Sequence, residues 1–517
     1  MTQGLLSFKY EEEKKNFGTT TLAGLLVFLD LFHKMDFKNM VEKNLSAKKG
    51  KQGWSDYSFL LSIILLNLCG GDCVNDINVL EGDTGLRRIF KNLNLQNAFY
   101  RHHQKSIRQH QQWSNCEKNS FNTFPSPTSE FRYLNLFHNQ SEEERRPQNK
   151  AFIPLPNENL LGLSNINKDM LEFLQLNNPE KVATIDMDAT IVKSQKKQAQ
   201  YSYKNYKGYQ PLNAYWYEQD FMVYTEFRDG NVPAGYQQKR VFSEVLSYLP
   251  SGVEKVYLRS DTAGYQHELL RYCEQGENER FGRIEFTISC DITPEFKRVV
   301  FKVCESEWHP IYEEVNGKKE ETGQEWAEVP FVPNAICHSK KGRSYRYIGI
   351  REAYVQRQSS EMEMQASLPF PTMKLNNKSY KIFGLVTNMD WDGEELIHWS
   401  RKRCGYSEHV HSEMKEALCG GQLPSGKFGC NAAWWWMMIL SLNLTAMMKK
   451  LGLPDKYLGI GLNSRMKKIR FRLINIPGRV ILEGKELIVR LTRDHPGMEL
   501  LVRIRRQINR LDAIASG

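Results

Sequence analysis

The sequence predicts a mixed α/β protein, and three regional patterns support this fold class. Residues 1–100 carry apolar side chains at helical spacing, with serines and threonines placed to cap helices. From residue 181, short apolar strands alternate with helical segments. Residues 295–385 are rich in strands and turns, and helices resume after them. A chain of 517 residues exceeds one ordinary domain, so we expect several structural units.

The N-terminal region, residues 1–100, is predicted to form a compact helical unit. Ser55 can cap an apolar helix that ends at Gly70 and Gly71, and a shorter helix follows near residues 83–90. A helical unit with surface Lys and Arg fits either a DNA-binding domain or a plain scaffold. Residues 101–180 are largely polar in their first part and predict a linker or long loop that is partly disordered.

The charge of the chain is concentrated at its C-terminal end. Residues 449–517 hold 16 Lys and Arg against 6 Asp and Glu, which equals the whole net charge of +10. A basic end on a neutral body favours a polyanionic partner, nucleic acid before membrane, although a solvated charged surface has the same composition.

Several sequence features favour a cytoplasmic protein that does not enter a membrane. The N-terminus lacks the pattern of an export signal, and the ten cysteines form no CxxC pair. Residues 432–448 are apolar but include Ser441, Asn443 and Thr445, so we expect a buried core helix there.

A pair of carboxylates lies on the first strand of the α/β region, VATIDMDATIV. Because side chains alternate along a strand, Asp186 and Asp188 point to the same face. Like charges held this close destabilise each other unless a cation or a proton lies between them. The alternative is that both are solvent-facing positions of a half-exposed strand.

Two further acidic positions follow secondary-structure boundaries. Asp261 ends the strand VYLRS before a glycine turn, which suits either a metal ligand or the N-cap of the next helix. Glu408 and Lys415 are two helical turns apart on one helix face, where they could hold a metal and a phosphate side by side or simply face solvent.

Together these positions supply the ligands that two-metal phosphoryl transfer requires. Hard divalent cations such as Mg²⁺, or Mn²⁺, prefer carboxylate oxygens, and Mg²⁺ keeps several waters, so few protein ligands suffice. The sequence shows neither a Ser-His-Asp arrangement nor a dinucleotide-binding fingerprint.

The order of these segments resembles bacterial insertion-sequence transposases of the DDE type. The similar stretches are VATIDMDATIV, YKGYQPLNAY, VYLRSDTAGY, EELIHWSRKRCGYSEHVHSEMKEAL, LPSGKFGCNAAWWW and RFRLINIPGRVI. The resembling group has an RNase H-like core, interrupted by a β insertion, and a Y-x2-R-x3-E-x6-K signature. The resemblance therefore implies an RNase H-like mixed-sheet core with a β-rich insertion.

The resemblance implies Asp188, Asp261 and Glu408 as catalytic and metal-binding residues, with Asp186 as a possible further ligand. Lys415 lies at the signature distance after Glu408, and Arg403 takes the place of the signature arginine if one residue is inserted before Glu408. Both would then contact DNA. With that insertion no tyrosine falls in the signature position; Trp399 or Tyr406 could replace it, and Glu413 remains a second candidate for the acid.

The regional patterns, together with the resemblance, predict a domain order. We expect a helical DNA-binding domain at 1–100, a linker at 101–180, core segments at 181–294 and 386–450, a β insertion at 295–385 forming its own small sheet, and a basic region at 451–517. Within the insertion, Lys340, Lys341, Arg343 and Arg346 alternate with Tyr345 and Tyr347, which fits a DNA-stacking strip or an exposed strand protected by lysines.

The basic region offers arginines suited to DNA phosphates. Arg470 and Arg472 alternate with apolar residues as on a strand, while Arg503 and Arg506 lie at helical spacing. We expect these arginines to contact DNA backbone.

The predicted function is a DDE transposase, located in the bacterial cytoplasm and associated with the nucleoid. It would bind the terminal inverted repeats of its insertion sequence, cleave at the ends with Mg²⁺ or Mn²⁺, and join the 3′ ends to target DNA as a homodimer in a synaptic complex. The alternatives are a metal-dependent nuclease without strand transfer and an inactive DNA-binding derivative.

Overall fold

The fold is described from a computed structural model that covers residues 11–12, 14–50, 53–93, 122–147, 150–333, 345–354, 371–375, 378–454, 457–484 and 486–513. The α-helices in these ranges are α1 Leu26–Lys34, α2 Phe37–Asn44, α3 Asp56–Cys69, α4 Ile77–Gly82, α5 Thr84–Asn92, α6 Pro127–Leu134, α7 Gln140–Glu144, α8 Glu158–Asn177, α9 Gln238–Tyr248, α10 His267–Gln275, α11 Pro294–Phe301, α12 Gly393–Arg401, α13 Tyr406–Ser412, α14 Phe428–Met447, α15 Met466–Ile469 and α16 Gly497–Arg510. Helices α13, α14 and α15 each continue into a π-helical turn, at Glu413–Ala417, Met448–Gly452 and Arg470–Ile474 respectively.

The strands form one large mixed sheet and two small ones. In chain order they are β1 Thr19–Thr20, β2 Val182–Ala189, β3 Val192–Lys193, β4 Gln200–Tyr201, β5 Lys207–Tyr209, β6 Leu212–Trp216, β7 Phe221–Glu226, β8 Lys255–Ser260, β9 Glu285–Ser289, β10 His309–Val315, β11 Lys318–Glu328, β12 Arg346–Tyr354, β13 Thr372–Leu375, β14 Lys378–Thr387, β15 Gly478–Glu483 and β16 Glu486–Arg490. The large sheet has the order β10-β11-β12-β14-β9-β8-β2-β6-β7, and β13 pairs with β14.

Strand direction in the large sheet is mixed, as the fold class predicted. Strand β8 runs parallel to both β2 and β9. Strand β6 runs antiparallel to β2, and β7 runs antiparallel to β6. The mixed α/β fold with an RNase H-like core is therefore confirmed.

The β-rich region does not form a sheet of its own, so that expectation is wrong. Its strand β14 pairs with β9 through Leu385 and Ser289, Val386 and Ile288, and Thr387 and Thr287. Strand β9 would otherwise be an edge with unsatisfied backbone groups, and β14 supplies the missing hydrogen bonds. The region therefore extends the central sheet instead of standing apart from it.

A long apolar helix, α14, lies at the centre of the molecule. Apart from Leu442, every residue from Phe428 to Met447 is buried, which confirms the predicted core helix. It packs against α3, α8 and β7, and one continuous hydrophobic core extends from Leu25 to Ile508. The predicted helices of residues 1–100 are present, but they share this core with the sheet. Among the described residues no single helix is long and apolar enough to span a membrane. Only the bent pair Asp56–Cys69 and Val74–Gly82 has the length and the composition for a span.

The linker prediction is wrong for the described part of residues 101–180. Helix α8 has 20 residues, is capped by the Asn157 side chain, and buries Leu163, Ile166, Met170 and Leu174. Apolar residues at spacings of three and four place one face of this helix in the core. The linker prediction relied on the polar composition of the region and did not take this spacing into account. Residues 94–121 lie outside the described ranges.

The basic region is helical where a strand was expected around Arg470. Met466, Ile469, Leu473 and Ile474 are buried at helical spacing, whereas Phe471 is 77% exposed. Alternation cannot bury those four residues together, but a helix can. The predicted final helix is present as α16, and β1 joins β15 and β16 in a small sheet that ties the two ends of the chain together.

Candidate catalytic site

Two parallel neighbouring strands bring the first two predicted acids to one edge of the large sheet. Met187 on β2 pairs with Ser260 on β8, so the next positions along the two strands are Asp188 and Asp261. Adjacent strands lie about 4.8 Å apart, which makes the two aspartates direct neighbours. Asp261 Oδ1 accepts a hydrogen bond of 3.0 Å from the Ala263 backbone, so this residue also caps the turn that follows it.

The electrostatics of Asp188 reflect this close approach. Burial raises the pKa of its carboxyl to about 6; Arg403 opposes this shift and the nearby charge of Asp261 reinforces it. The side chain keeps 22% exposure, so the carboxyl can still be reached from solvent. A carboxylate pair with this repulsion favours a bound cation.

Arg403 neutralises part of that charge. Its Nη1 lies 3.2 Å from Asp188 Oδ2, in the segment between α12 and α13. The arginine predicted from the signature therefore lies at the carboxylates.

Asp186 is engaged elsewhere. Arg259 donates to both of its oxygens, Nε to Oδ1 at 2.6 Å and Nη2 to Oδ2 at 2.8 Å, and both side chains are nearly inaccessible. Arg259 also donates to the Trp399 carbonyl at 2.8 Å and lies over the Trp399 ring. The suggestion that Asp186 is a metal ligand therefore needs correction: this carboxylate anchors Arg259, which joins the sheet to α12.

Helix α13 begins after Gly405, whose φ of 71° breaks the chain away from α12. Its residue Glu408 is exposed, and among the described residues it is not grouped with the two aspartates in a three-residue metal site. His411, one turn later on the same face, has Nε2 3.4 Å from Nδ2 of Asn213, and Asn213 pairs with Asp188 across β2 and β6. This face of α13 is therefore turned towards the carboxylate edge.

The charges on this helix face influence one another. Burial lowers the pKa of His411 to about 4, and the cations Lys415 and Arg403 lower it further, so the imidazole is neutral at pH 7. Burial also lowers the pKa of Lys415; the charge of Glu416 opposes this shift and that of Lys204 reinforces it.

The opposite face of α13 carries the other sequence candidates. Glu413 Oε2 accepts a 2.6 Å hydrogen bond from the Met466 backbone, which commits it to the C-terminal region. Tyr406, considered as a replacement for the signature tyrosine, donates to Asp220 and lies 2.6 Å from the Tyr215 hydroxyl. These residues line a separate cavity of about 390 Å³.

Two of the predicted acidic residues have side chains suited to bind a divalent cation. Asp188 and Asp261 offer hard carboxylate oxygens, and the second oxygen of Asp261 accepts no hydrogen bond from a described residue. Within the described ranges, no three His, Cys, Asp or Glu side chains are grouped to hold a metal ion, because Glu408 remains apart. Mg²⁺ tolerates this arrangement, since it often binds one or two carboxylates and completes its shell with water and phosphate oxygens.

The predicted stacking strip in the β-rich region has a different role where it is described. Tyr345 and Tyr347 are 9% and 1% exposed, so neither can stack on a base. Arg346 pairs with Glu328 and donates to the carbonyls of Met389 and Trp391. Lys340, Lys341 and Arg343 lie outside the described residues.

The arginines of the basic region divide into two kinds. Arg470 is not a DNA-binding surface residue: it donates to the carbonyls of Leu68, Asn67 and Ala417 at 2.7–3.0 Å and so caps the end of α3. Arg472 is exposed and donates to the Leu458 carbonyl.

Helix α16 presents the remaining two arginines. Arg503 pairs with Glu499 and lies over the Tyr457 ring, and Arg506 is exposed on the same helix. Both arginines face solvent.

Two residues at this site were given no functional role from the sequence. Arg259 stands in the middle of the apolar run VYLRS, and a charged residue inside a strand is a signal for a buried partner. His411 lies between Glu408 and Lys415 at helical spacing, so it shares their face.

Comparison with known proteins identifies the family. The sequence matches the family described as Transposase DDE domain group 1 over residues 18–513. No curated protein matches. Among solved structures, the chain is similar to the piggyBac transposase in a synaptic complex with hairpin DNA, at 11% identity and a TM-score of 0.43, covering 95% of this chain and 82% of that one. The family match spans nearly the whole chain, which therefore belongs to the DDE transposases of domain group 1.

Proposed function

We propose that this transposase mobilises an insertion sequence by metal-dependent cleavage at the ends of the element and joining of the 3′ ends to target DNA. The observation that carries the proposal is the placement of Asp188 beside Asp261, with Arg403 at 3.2 Å, at one accessible edge of the sheet. Asp188, Asp261 and Glu408 are the proposed catalytic residues, with Mg²⁺ or Mn²⁺ as cofactor. The metal would supply activation of the attacking oxygen and stabilisation of the leaving oxygen.

The protein side chains would hold and orient the reacting strand. Asp188 and Asp261 provide fixed oxygen ligands on rigid strands, and Glu408 projects from the helix whose face is turned towards them. Arg403 is placed to exchange its contact with Asp188 for a DNA phosphate, for which a planar guanidinium is well suited. Lys415 continues the same helix face and would contact the phosphate backbone.

Glu408 on α13 is favoured as the third acid over Glu413, which begins the π-helical turn that continues this helix. Glu413 is on the opposite face and already accepts a backbone hydrogen bond from Met466. Glu408 shares its face with His411 and Lys415.

Further phosphate contacts would come from the exposed arginines Arg472, Arg503 and Arg506, and Lys340, Lys341 and Arg343 remain predicted contacts. Such contacts make binding strongly dependent on salt. We propose that the protein acts at the terminal inverted repeats, in the bacterial cytoplasm at the nucleoid, as a homodimer that holds two ends together.

A plasmid assay tests this function. The DNA flanking the gene, cloned around a marker, is incubated with the protein, Mg²⁺ and a target plasmid, and a second reaction uses pre-cleaved ends. Cleavage at the element boundary and joining in both reactions are expected. Cleavage without joining of pre-cleaved ends would identify a nuclease, and DNA binding without either reaction would identify an inactive derivative.

A further inference from the structure

A small three-stranded sheet beside the carboxylates concentrates lysine and tyrosine. Strands β3, β5 and β4 form it, in that order, between residues 192 and 209. Residues 189–217 contain five lysines and no Asp or Glu. Tyr201 and Tyr203 are 64% and 71% exposed, unusual values for aromatic rings. This tyrosine–lysine sheet is defined by Tyr201, Tyr203, Tyr206, Lys193, Lys204 and Lys207.

The lysines of this sheet contact rings instead of carboxylates. The ammonium groups of Lys193, Lys207 and Lys204 lie 4.8, 5.6 and 5.7 Å from the ring centres of Tyr206, Tyr201 and Tyr203. None of the five lysines between residues 189 and 217 pairs with an acidic side chain of the described ranges. The surface therefore carries cations available for an anionic partner together with exposed aromatic faces.

The sheet is fixed to the protein core. Tyr209, at the end of β5, stacks on Phe227 with ring centres 4.9 Å apart, and its hydroxyl accepts a 3.2 Å hydrogen bond from Asn431. The Gly230 amide donates to the Gly208 carbonyl at 3.0 Å, so the strand is also tied through its backbone.

Tyr201 lies on β4 and Tyr203 lies in the short turn that joins β4 to β5. Ser202 closes this turn, because its amide and its hydroxyl both donate to the Tyr206 carbonyl at 2.9 Å. The exposed tyrosines are thus held on a hairpin that is anchored to the core.

The position of the sheet relates it to the catalytic edge. Val192 begins β3 only four residues after Asp188. On its other side, Lys204 is close enough to Lys415 to help lower the pKa of that lysine, after the larger effect of burial. The sheet therefore lies near the end of β2 and near Lys415, in the π-helical turn that continues α13.

We propose that the tyrosine–lysine sheet binds unpaired DNA, stacking bases on Tyr201 and Tyr203 while the lysines contact the phosphates. The inference rests on the proposed function, because a nick made at an element end near the carboxylates leaves a strand end that can part from its complement. In a duplex the aromatic faces of the bases are covered by stacking on their neighbours, whereas a flexible single strand makes them available to exposed tyrosine rings. Duplex DNA offers phosphates alone and would leave the rings unused.

Binding of single-stranded and duplex DNA by the full-length protein tests the proposal. The probes are fluorescent (dT)20 and a 20-base-pair duplex of random sequence, measured by anisotropy at one salt concentration. The double variant Tyr201→Ala/Tyr203→Ala should bind (dT)20 at least about tenfold more weakly, since one stacked base contributes about 1–3 kcal/mol. Its affinity for the duplex should change by less than about twofold, because duplex binding depends on charge.

Two controls accompany this variant. Tyr201→Phe/Tyr203→Phe keeps both rings and should retain affinity for (dT)20, whereas a loss would indicate that the hydroxyls matter and not stacking. Phe301→Ala removes an aromatic ring that is 54% exposed elsewhere and should change neither probe.

Unchanged (dT)20 binding by the alanine variant, or an equal loss on both probes, would overturn the proposal. These probes contain no element ends, so their result is independent of the plasmid assay. If the wild-type protein cleaves and joins element ends but the alanine variant binds (dT)20 as tightly as wild type, only this inference is refuted and the proposed function stands.

Discussion

Arg403 Nη1 lies 3.2 Å from Asp188 Oδ2, although 215 residues separate the two in the chain. The contact joins the end of the first core strand to the segment that leads into α13. It places a cation where DNA phosphate and metal would also be attracted, so Arg403 is the internal counter-ion of the acidic edge.

Removing this counter-ion should change the pH dependence of metal binding. The pKa of Asp188 is raised to about 6, mainly by burial, and Arg403 holds it lower than burial alone would. Mn²⁺ affinity should therefore fall as the pH drops below about 6, and Arg403→Ala should move that fall to higher pH. Calorimetric titration of the full-length protein with Mn²⁺ between pH 5 and 8 checks this, with Arg401→Ala as a nearby control. An unshifted profile in Arg403→Ala would contradict the electrostatic role of Arg403.

Asp186 and Asp188 should respond differently to substitution although they are two residues apart. Asp186→Ala leaves the buried Arg259 without its partner, and loss of one member of a buried pair typically costs about 3–5 kcal/mol. Asp188→Ala removes a repelled carboxylate and should leave the free energy of unfolding nearly unchanged. Urea denaturation of both variants makes the comparison. If Asp186→Ala were as stable as wild type yet inactive, Asp186 would be a ligand after all.

The positions of Asp188 and Asp261 at the ends of two strands could be predicted from the sequence, because strand periodicity and turn residues show where a strand ends. The sequence was insufficient for Asp186, because its partner Arg259 is on a neighbouring strand and the register between strands is invisible in one sequence. The same limit applies to β14, whose pairing with β9 joins the β-rich region to the central sheet. Long-range pairing, and not local pattern, decided these outcomes.

Local pattern itself misled at Arg470 and Arg472. The alternation Ile469, Arg470, Phe471, Arg472, Leu473 fits a strand, but the buried residues recur at helical spacing once Met466 and Ile474 are included. A window of five residues cannot separate the two periods. Local pattern also predicted a DNA-stacking strip at Tyr345 and Tyr347 in the β-rich region, but both tyrosines are buried there.

Arg470 and Arg472 provide a matched pair for separating stability from DNA binding. Arg470→Ala removes hydrogen bonds from a charged donor to the end of α3 and should lower the free energy of unfolding by about 1.5–3 kcal/mol. Its salt slope of DNA binding should match wild type. The double variant Arg472→Ala/Arg506→Ala should keep wild-type stability but reduce that slope by about one unit per lost phosphate contact. Anisotropy at several salt concentrations measures both; an unchanged slope in the double variant would show that these arginines do not contact DNA.

A buried glutamate outside the catalytic site should make stability depend on pH. Glu130 on α6 is 0% exposed, and neither of its carboxyl oxygens has a hydrogen-bond partner among the residues that the structure describes. Burial therefore raises its pKa well above the ordinary value of 4.5. The folded state then holds the proton more tightly than the unfolded state, and stability is lost as the pH rises above 4.5, by up to ~1.4 kcal/mol per pH unit until the folded pKa is reached.

Glu130→Met should therefore be more stable than wild type at pH 8, with a gain that shrinks towards pH 5. Urea denaturation at the two pH values measures the gain. Glu130→Asp, which keeps the carboxyl, is the control. A gain of equal size at both pH values would mean that packing and not protonation explains it.

The most direct measurement of the central claim is Mg²⁺-dependent cleavage of the element ends by single alanine variants at Asp188, Asp261, Glu408 and Glu413, alongside end binding by the same proteins. Asp188→Ala, Asp261→Ala and Glu408→Ala should abolish cleavage while binding the ends like wild type, and Glu413→Ala should retain cleavage. Cleavage that survives in Asp188→Ala or Asp261→Ala would contradict the assignment of this sheet edge as the catalytic centre. Loss in Glu413→Ala with activity in Glu408→Ala would transfer the third acid to the opposite face of α13.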